Sequence, residues 1–565
     1  MSQSPLTNRE SGRIVIDTLY HLGVRHFFMS PGARSSPLVA ALAEIEDIEV
    51  TIHYDERGMS FAALGHAMAT GLPSVCITTS GSAVANLLPA CVEASHSGLP
   101  VIFITADRPP ELRGTGANQT ILQPGIFGTF VRLSRELPCA ENDFASKESL
   151  VESIYEAVAV ATGENPGPVH INMPIREPLL ENEDAGSADP LVFPKFQQPP
   201  ITPSPISCGS FFSADYGVVV IGRLSACEQV DVPEIIEWAV RLGWPIFCDA
   251  LSGARLMPGI IRHGDWILQQ SHIPRPNRVL HFGGALVSKR IGKWLSACRE
   301  CDYIQVRESP LPLDPWDQKP NLIRMGILDF CRMFPNPSSS SPHWSLAWKS
   351  ADTSTERVLQ QQFEGGDTLS EPEISRLIAR AAFSLNHTLF LANSMPVRDF
   401  DSSAESFGTK LLPVFGNRGA SGIDGNIATI AGVAMASDRS VLAVIGDLAA
   451  LHDLNSLPLL LNQSVTLVIV NNHGGGIFRF LPLAVSPDKR EKYWETPHPF
   501  GFADAAAQFG IEYHNPTSVC ALKECLSSVA TGPRIVECVT DRDENARLHK
   551  SIADQIRELD FKWPH

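Results

Sequence analysis

Short, unbroken apolar runs recur along this chain and restrict its fold more than any other feature. They are Val75-Cys76-Ile77-Thr78, Val101-Ile102-Phe103-Ile104, Val218-Val219-Val220-Ile221, Val441 to Ile445 and Leu467 to Val470. A strand without polar alternation must be covered on both faces, as in parallel sheets flanked by helices. Between these runs the apolar spacing turns helical. Ser11 to Leu22 sets Val15, Leu19 and Leu22 on one face and stops at Gly23. Ser370-Glu371-Pro372-Glu373 has the pattern of a capping box opening a helix that carries Ile374 and Leu377. The expectation is an α/β protein built of three doubly wound parallel-sheet domains.

The length agrees, because 565 residues exceed what one core can serve at about 100–200 residues per domain. Two stretches read as linkers. Glu181 to Ser207 mixes acids with six prolines, and Pro335-Asn336-Pro337 runs into Ser338 to Ser341 and Pro342. They divide the chain into 1–185, 205–335 and 345–565, with no short-period repeat. Lys and Arg number 45 against 62 Asp and Glu, a net charge of −17 that disfavours nucleic acid and anionic lipid as partners. An anionic small substrate stays open, since a local arginine cluster outweighs distant charge. The start, Met1-Ser2-Gln3-Ser4-Pro5, has no basic region followed by an apolar stretch, so a cytoplasmic location with reduced thiols is expected. Cys298 and Cys301 lack the second pair that a zinc site wants and read as structural. No membrane span is expected, because the best apolar stretch, Leu457 to Val470, is broken by Asn462-Gln463-Ser464.

The strand Val441–Ile445 ends in Gly446-Asp447, and the strand Leu467–Val470 ends in Asn471-Asn472-His473-Gly474-Gly475-Gly476. Neighbouring strands of a parallel sheet bring such ends together at the carboxyl edge, where ligands bind. Asp447 and Asn472 would offer a carboxylate and an amide carbonyl to one hard cation, while the glycines let backbone approach phosphate oxygens. This pairing resembles the cofactor signature of thiamine-diphosphate enzymes. The resemblance implies that Asp447, Asn472 and the carbonyl of Gly474 hold Mg²⁺, or Mn²⁺, on the diphosphate. The alternative is an ordinary structural turn. His473 occupies a variable position and is given no role.

Such a cofactor also needs a carboxylic acid against its aminopyrimidine ring. His53-Tyr54-Asp55-Glu56-Arg57-Gly58 follows the strand-like Ile48 to Ile52 and precedes a small-residue helix, Ala62-Ala63-Leu64-Gly65-His66-Ala67. This is similar to the family's strand–Glu–helix element and marks Glu56 as the catalytic acid. Otherwise Glu56 is simply a first-turn helix residue. Asp55 reads as a solvated or ion-paired neighbour. In the family the two elements meet across a subunit interface, which implies a homodimer or a dimer of dimers.

Three further stretches narrow the family. They are Ser30-Pro31-Gly32-Ala33-Arg34-Ser35-Ser36-Pro37-Leu38, then Thr105-Ala106-Asp107-Arg108-Pro109-Pro110-Glu111-Leu112 with Gly116-Ala117-Asn118-Gln119, and Gly416 to Gly425. With the signature they resemble the 2-succinyl-5-enolpyruvyl-6-hydroxy-3-cyclohexene-1-carboxylate synthases of menaquinone and phylloquinone biosynthesis, from about residue 10 to 540. The resemblance implies pyrimidine-binding, central and diphosphate-binding domains. It also implies decarboxylation of 2-oxoglutarate and addition of the succinyl-semialdehyde carbanion equivalent to the conjugated alkene of isochorismate. Both substrates are carboxylates, which guanidinium forks hold bidentately.

The basic residues matching the family are Arg34, Arg108, Lys289, Arg290, Arg398 and Arg418, each otherwise a solvated or ion-paired group. Lys289 and Arg290 close the motif Gly283-Gly284-Ala285-Leu286-Val287-Ser288. Asn118 and Gln119 match polar contacts to substrate or intermediate, and Ser394 a polar group beside cofactor and substrate. Ile423 matches the apolar wedge that bends the cofactor, though core packing would also explain it. Ile477, beside the cofactor, with Phe478 and Leu481 would line the apolar side of the pocket, or else belong to the core. Ala33 departs from the family's usual serine, which puts that loop's substrate affinity in doubt. Ser486 to Phe500 is a candidate mobile cover. Rival readings are an acetohydroxyacid synthase or simple 2-oxo-acid decarboxylase, and a catalytically dead relative acting as a binding protein. The middle domain lacks the G-x-G-x-x-G of a nucleotide site.

Overall fold

The computed structural model describes residues 6–140, 146–180, 211–298, 301–337 and 342–564. The first linker, Glu181 to Ser207, and Ser338 to Ser341 of the second lie outside the described residues. Three all-parallel sheets are present, as the apolar runs require. The first is β1 (His26–Met29), β2 (Glu49–Ile52), β3 (Ser74–Thr78), β4 (Val101–Asp107), β5 (Leu133–Glu136) and β6 (Val169–Pro174), in the order β2-β1-β3-β4-β6-β5. The second is β7 (Gly217–Ile221), β8 (Ile246–Cys248), β9 (Arg278–Phe282), β10 (Asp302–Val306) and β11 (Asn321–Ile323), in the order β11-β10-β9-β7-β8. The third is β12 (Thr388–Leu391), β13 (Val414–Phe415), β14 (Val441–Gly446), β15 (Val465–Asn471), β16 (Glu512–His514) and β17 (Arg534–Val539), in the order β13-β12-β14-β15-β17-β16. Each order reverses direction inside the sheet, which creates the crevice at strand carboxyl ends where ligands bind.

The chain separates into two compact units. One holds residues 1–200 with 417–436 and 453–459, and the other holds 201–416, 437–452 and 460–565. In the first, the central strands are buried throughout, and the helix Asn8–His21 lays Ile14, Val15 and Leu19 on the sheet. That helix starts earlier than its apolar face suggested, because Thr7 and Glu10 form a reciprocal capping box. The box expected at Ser370 is not made. The helix Glu371–Leu385 begins there, but the Ser370 hydroxyl makes no cap bond and has no partner. In the second unit, Ala250, Leu251 and Leu256 from the middle of the chain share a core with Leu389, Leu391, Val444 and Val468 of the third sheet.

Two helices of the first unit touch backbone to backbone. A Cβ on Gly432, in the helix Asn426–Met435, would lie 1.9 Å from the carbonyl oxygen of Ala62 in the helix Glu56–Thr70. One on Gly65 would lie 2.1 Å from the oxygen of Thr429. Alanine ordinarily stabilises a helix interior over glycine by ~1 kcal/mol. Here overpacking reverses the sign, so Gly432→Ala is expected to cost about 1–3 kcal/mol. A lowered midpoint in denaturant would show it, and an unchanged one would mean that the helices separate freely.

Candidate functional site

The carboxyl ends of β14 and β15 lie side by side, with Gly446 in register with Val470. Asp447 follows the first and Asn472 the second. The Asp447 carboxylate is buried and accepts from the backbone N–H of Leu448 at 2.7 Å and of Gly474 at 2.8 Å. His498 Nε2 stands 3.2 Å from the same carboxylate. Burial pushes the Asp447 carboxyl above the usual carboxylate range, and the two N–H donors and His498 pull it back. Gly474 takes φ +147°, and a Cβ there would meet Glu495 oxygen at 2.5 Å and Arg542 Nη1 at 2.4 Å, so only glycine fits.

The two asparagines are bonded differently. Asn471 donates to the Phe500 carbonyl and to Glu537, and accepts from the His473 N–H. Asn472 donates from Nδ2 to Glu371 Oε1 at 2.9 Å, while its Oδ1 is buried without a partner. An orphaned amide oxygen beside a buried carboxylate fits a hard cation with oxygen ligands. The Gly474 carbonyl accepts from Gly476 N–H at 3.0 Å, with a second lone pair to offer. Among the described residues no three His, Cys, Asp or Glu side chains gather as a metal site. The thiols of Cys298 and Cys301 are free.

Ser486 to Phe500 is fastened to this edge. Its buried Glu495 pairs with Arg479 at 3.1 Å and Arg490 at 3.0 Å, and the Glu495 carbonyl accepts from Gly475 N–H. These bonds, with that of His498, fasten the end of the candidate cover nearest this edge. Downstream, Ile477 and Leu481 line a cavity of about 1150 Å³ in the second unit, together with Lys289, Arg290 and Arg398. Lys289 and Arg290 open the helix Lys289–Ser296 behind the N-cap Ser288, and Arg290 pairs with Asp265. The Arg398 guanidinium donates to the Ser394 carbonyl, and Ser394 itself takes φ +73°. Phe478 is absent from the described lining and would lie 2.9 Å from a Cβ on Gly475.

Sequence reasoning missed several cavity residues. Lys293, Arg479, Arg547, Lys550 and Arg557 join the predicted cations and outnumber Asp265, Asp399, Asp401 and Asp543. His549 also lines it, 3.1 Å from Asp399, and that carboxylate holds its imidazole above the ordinary range against burial. Three of these cations and His549 sit on the C-terminal helix Arg542–Glu558, where no local motif marks them.

In the first unit the expected residues sit on loops at strand carboxyl ends. Glu56 begins the helix after β2, half-buried, and Asn86 donates to its carboxylate at 3.2 Å. The cap of that helix is Asp55, which accepts from Arg57 and Gly58 N–H. Asp55, partly exposed as expected of a neighbour without a catalytic role, also serves as the cap. Arg34, after β1, is buried and donates to the Ile175 carbonyl at 2.9 Å and to Glu177 at 3.0 Å. Arg108 follows β4, its backbone N–H bonded to Asp107. Asn118 is exposed, and Gln119 donates to the Ser80 carbonyl past the end of β3. Arg418 and Ile423 share a loop clasped by buried Glu93, which accepts from the N–H groups of Gly419, Ala420 and Ser421 at 2.6, 2.7 and 3.3 Å. Ile423 is 41% exposed, which removes core packing as its explanation.

Comparison with known proteins agrees with this geometry. Residues 9–126 match the N-terminal cofactor-binding domain model of thiamine pyrophosphate enzymes, 208–391 the middle domain, and 403–538 the C-terminal cofactor-binding domain. A 2-succinyl-5-enolpyruvyl-6-hydroxy-3-cyclohexene-1-carboxylate synthase of Rubrobacter xylanophilus is 39% identical, covering 97% of this chain and 98% of the relative. A synthase of the same name from Salinibacter ruber is 37% identical over 96% of each chain. An X-ray structure described as a thiamin diphosphate-dependent enzyme from Mycobacterium smegmatis shares the fold, with a TM-score of 0.67 and 17% identity over 95% of this chain and 100% of that one. The chain belongs to the 2-succinyl-5-enolpyruvyl-6-hydroxy-3-cyclohexene-1-carboxylate synthase family of thiamine-diphosphate-dependent enzymes.

Proposed function

We propose that this enzyme decarboxylates 2-oxoglutarate and transfers the remaining four-carbon unit to the conjugated alkene of isochorismate. The products are CO₂ and 2-succinyl-5-enolpyruvyl-6-hydroxy-3-cyclohexene-1-carboxylate, on the route to menaquinone or phylloquinone. One observation carries the reading. In a chain of net charge −17, a cavity lined in part by Ile477, Arg479, Phe480 and Leu481 concentrates lysine and arginine. That surplus suits substrates bearing several carboxylates.

Thiamine diphosphate, when bound, supplies the carbon nucleophile and accepts the electrons released with CO₂. Asp447, Asn472 and the Gly474 carbonyl would hold Mg²⁺ or Mn²⁺, which would neutralise the diphosphate charge. The exposed Ile423 would be the apolar wedge against the coenzyme, and Ile477 would be an apolar neighbour of it. Glu56 keeps a proton available to the pyrimidine. Lys289, Arg290 and Arg398 fix carboxylates, with Ser394 as a polar neighbour and Leu481 and Phe478 on the apolar side. Arg34, Arg108, Asn118, Gln119 and Arg418 supply the contacts of the first unit. Arg34 acts there with both terminal nitrogens already engaged, so one role left to it is to shape its loop. Ala33, without a hydroxyl, leaves any direct loop contact to Ser35 or water.

The same proposal includes self-association as a homodimer or dimer of dimers, each site taking Glu56 from one copy and the metal ligands from another. The outer strand β2 supports it, with Ile52 63% and nearby Tyr54 60% exposed. It also includes the three-domain division at 1–185, 205–335 and 345–565 and a cytoplasmic location. Among the described residues no helix is long and apolar enough to cross a membrane. The test is turnover by purified protein with thiamine diphosphate and Mg²⁺. Product from 2-oxoglutarate plus isochorismate, and none from pyruvate alone, is expected. Consumption of pyruvate without the other two would point to a different carboligase.

A further inference from the structure

A side-chain amide is two-faced. Rotating it by half a turn exchanges an oxygen that attracts a cation for an NH₂ group that repels it. An asparagine that ligates a metal therefore needs something to fix its rotation. Neither the Gly446-Asp447 turn nor the glycines after Asn472 provides that.

Glu371 does. It opens the helix Glu371–Leu385, is only 3% exposed, and its Oε1 accepts from Asn472 Nδ2 at 2.9 Å. When ionised it only accepts, and it then pairs with Nδ2 and not with Oδ1. The opposite rotation would set two oxygens against each other in a buried space. The carboxylate is itself held. It stands at the positive end of its own helix and takes a second, longer bond from Thr540 Oγ1 at 3.4 Å. The backbone N–H of Thr540 donates to the Asn471 carbonyl at 2.9 Å, tying the end of β17 to the residue before Asn472. On the other side, Gly476 leaves room for the amide, since a Cβ there would lie 2.8 Å from Nδ2. The result is the arrangement described above, with Nδ2 satisfied and Oδ1 buried and unpaired.

We infer that Glu371 is a positioning residue for the metal site, holding the Asn472 amide so that Oδ1 faces the divalent cation. The inference rests on the reading of Asn472 as a ligand. Nothing in the sequence around Glu371 announces the role, because it is separated from Asn472 by 101 positions.

The test is Mn²⁺ binding to the full chain with saturating thiamine diphosphate, read from the paramagnetic resonance of free Mn²⁺. Thermal unfolding without metal runs beside it. Glu371→Ala is expected to weaken Mn²⁺ binding by about 10–100-fold, the usual effect of removing a partner of a metal ligand. Glu371→Gln carries both an acceptor and a donor, can meet either face of the Asn472 amide, and is expected to bind Mn²⁺ between wild type and Glu371→Ala. If Glu371→Ala does not fold, Glu371→Met refills the volume without an acceptor and takes its place. Wild-type binding by the alanine or methionine variant overturns the inference. Asn472→Ala separates the two levels. If it binds Mn²⁺ like wild type, the ligand assignment falls and the role of Glu371 with it. If it binds weakly while Glu371→Ala binds normally, only the positioning role falls.

Discussion

Glu56→Gln is expected to leave the protein folded and to remove most of its turnover, by about 10²–10⁴-fold, the range for losing a positioned acid or base. Glutamine keeps the size and the hydrogen bond from Asn86 but cannot exchange a proton. Stability should survive because Glu56 does not hold its helix. Asp55 is the cap, accepting from Arg57 and Gly58, and the Glu56 carboxylate is bonded only by Asn86 among the bonds described. Asp55→Ala is the matching control, expected to cost about 1 kcal/mol of stability through loss of the cap. Initial rates with 2-oxoglutarate and isochorismate, together with unfolding midpoints, would separate the two. Undiminished turnover in Glu56→Gln would remove this carboxyl from the chemistry.

The second large effect is on cofactor loading. Asp447→Ala removes the one carboxylate of the proposed donor set and leaves the N–H groups of Leu448 and Gly474 without their acceptor. At least about 100-fold weaker Mg²⁺-dependent binding of thiamine diphosphate is expected, at the upper end of what disturbing a metal site costs. An orphaned buried donor adds a loss of about 1–3 kcal/mol in apo stability. Asp447→Asn keeps the shape but sets its NH₂ against one of the two N–H donors, so it should lose part of the apo stability as well as affinity with the charge. Calorimetric titration of cofactor at fixed Mg²⁺ reads the first effect and denaturant unfolding the second. Full affinity in Asp447→Asn would show that the carboxylate charge does not hold the ion.

Much of this was legible from local pattern. The strands fall where unbroken apolar runs stand, and the loops that follow them carry the family's motifs. That is so because a strand buried on both faces must be apolar at every position, whatever its neighbours. One local rule failed: Ser370-Glu371-Pro372-Glu373 has the letters of a capping box, yet the Ser370 hydroxyl makes no cap bond.

The amino-acid order by itself determined the α/β class, the strand positions, the Asp447–Asn472 signature and the family. Each rests on spacing within a few dozen residues. Only the tertiary structure decided that β14 and β15 are neighbours, that Asn472 rather than Asn471 keeps an unsatisfied oxygen, and that cations of the C-terminal helix join Lys289 and Arg398 around one cavity. Strand order and hydrogen-bond saturation depend on groups hundreds of positions apart. Local periodicity carries no record of which donor will find which acceptor.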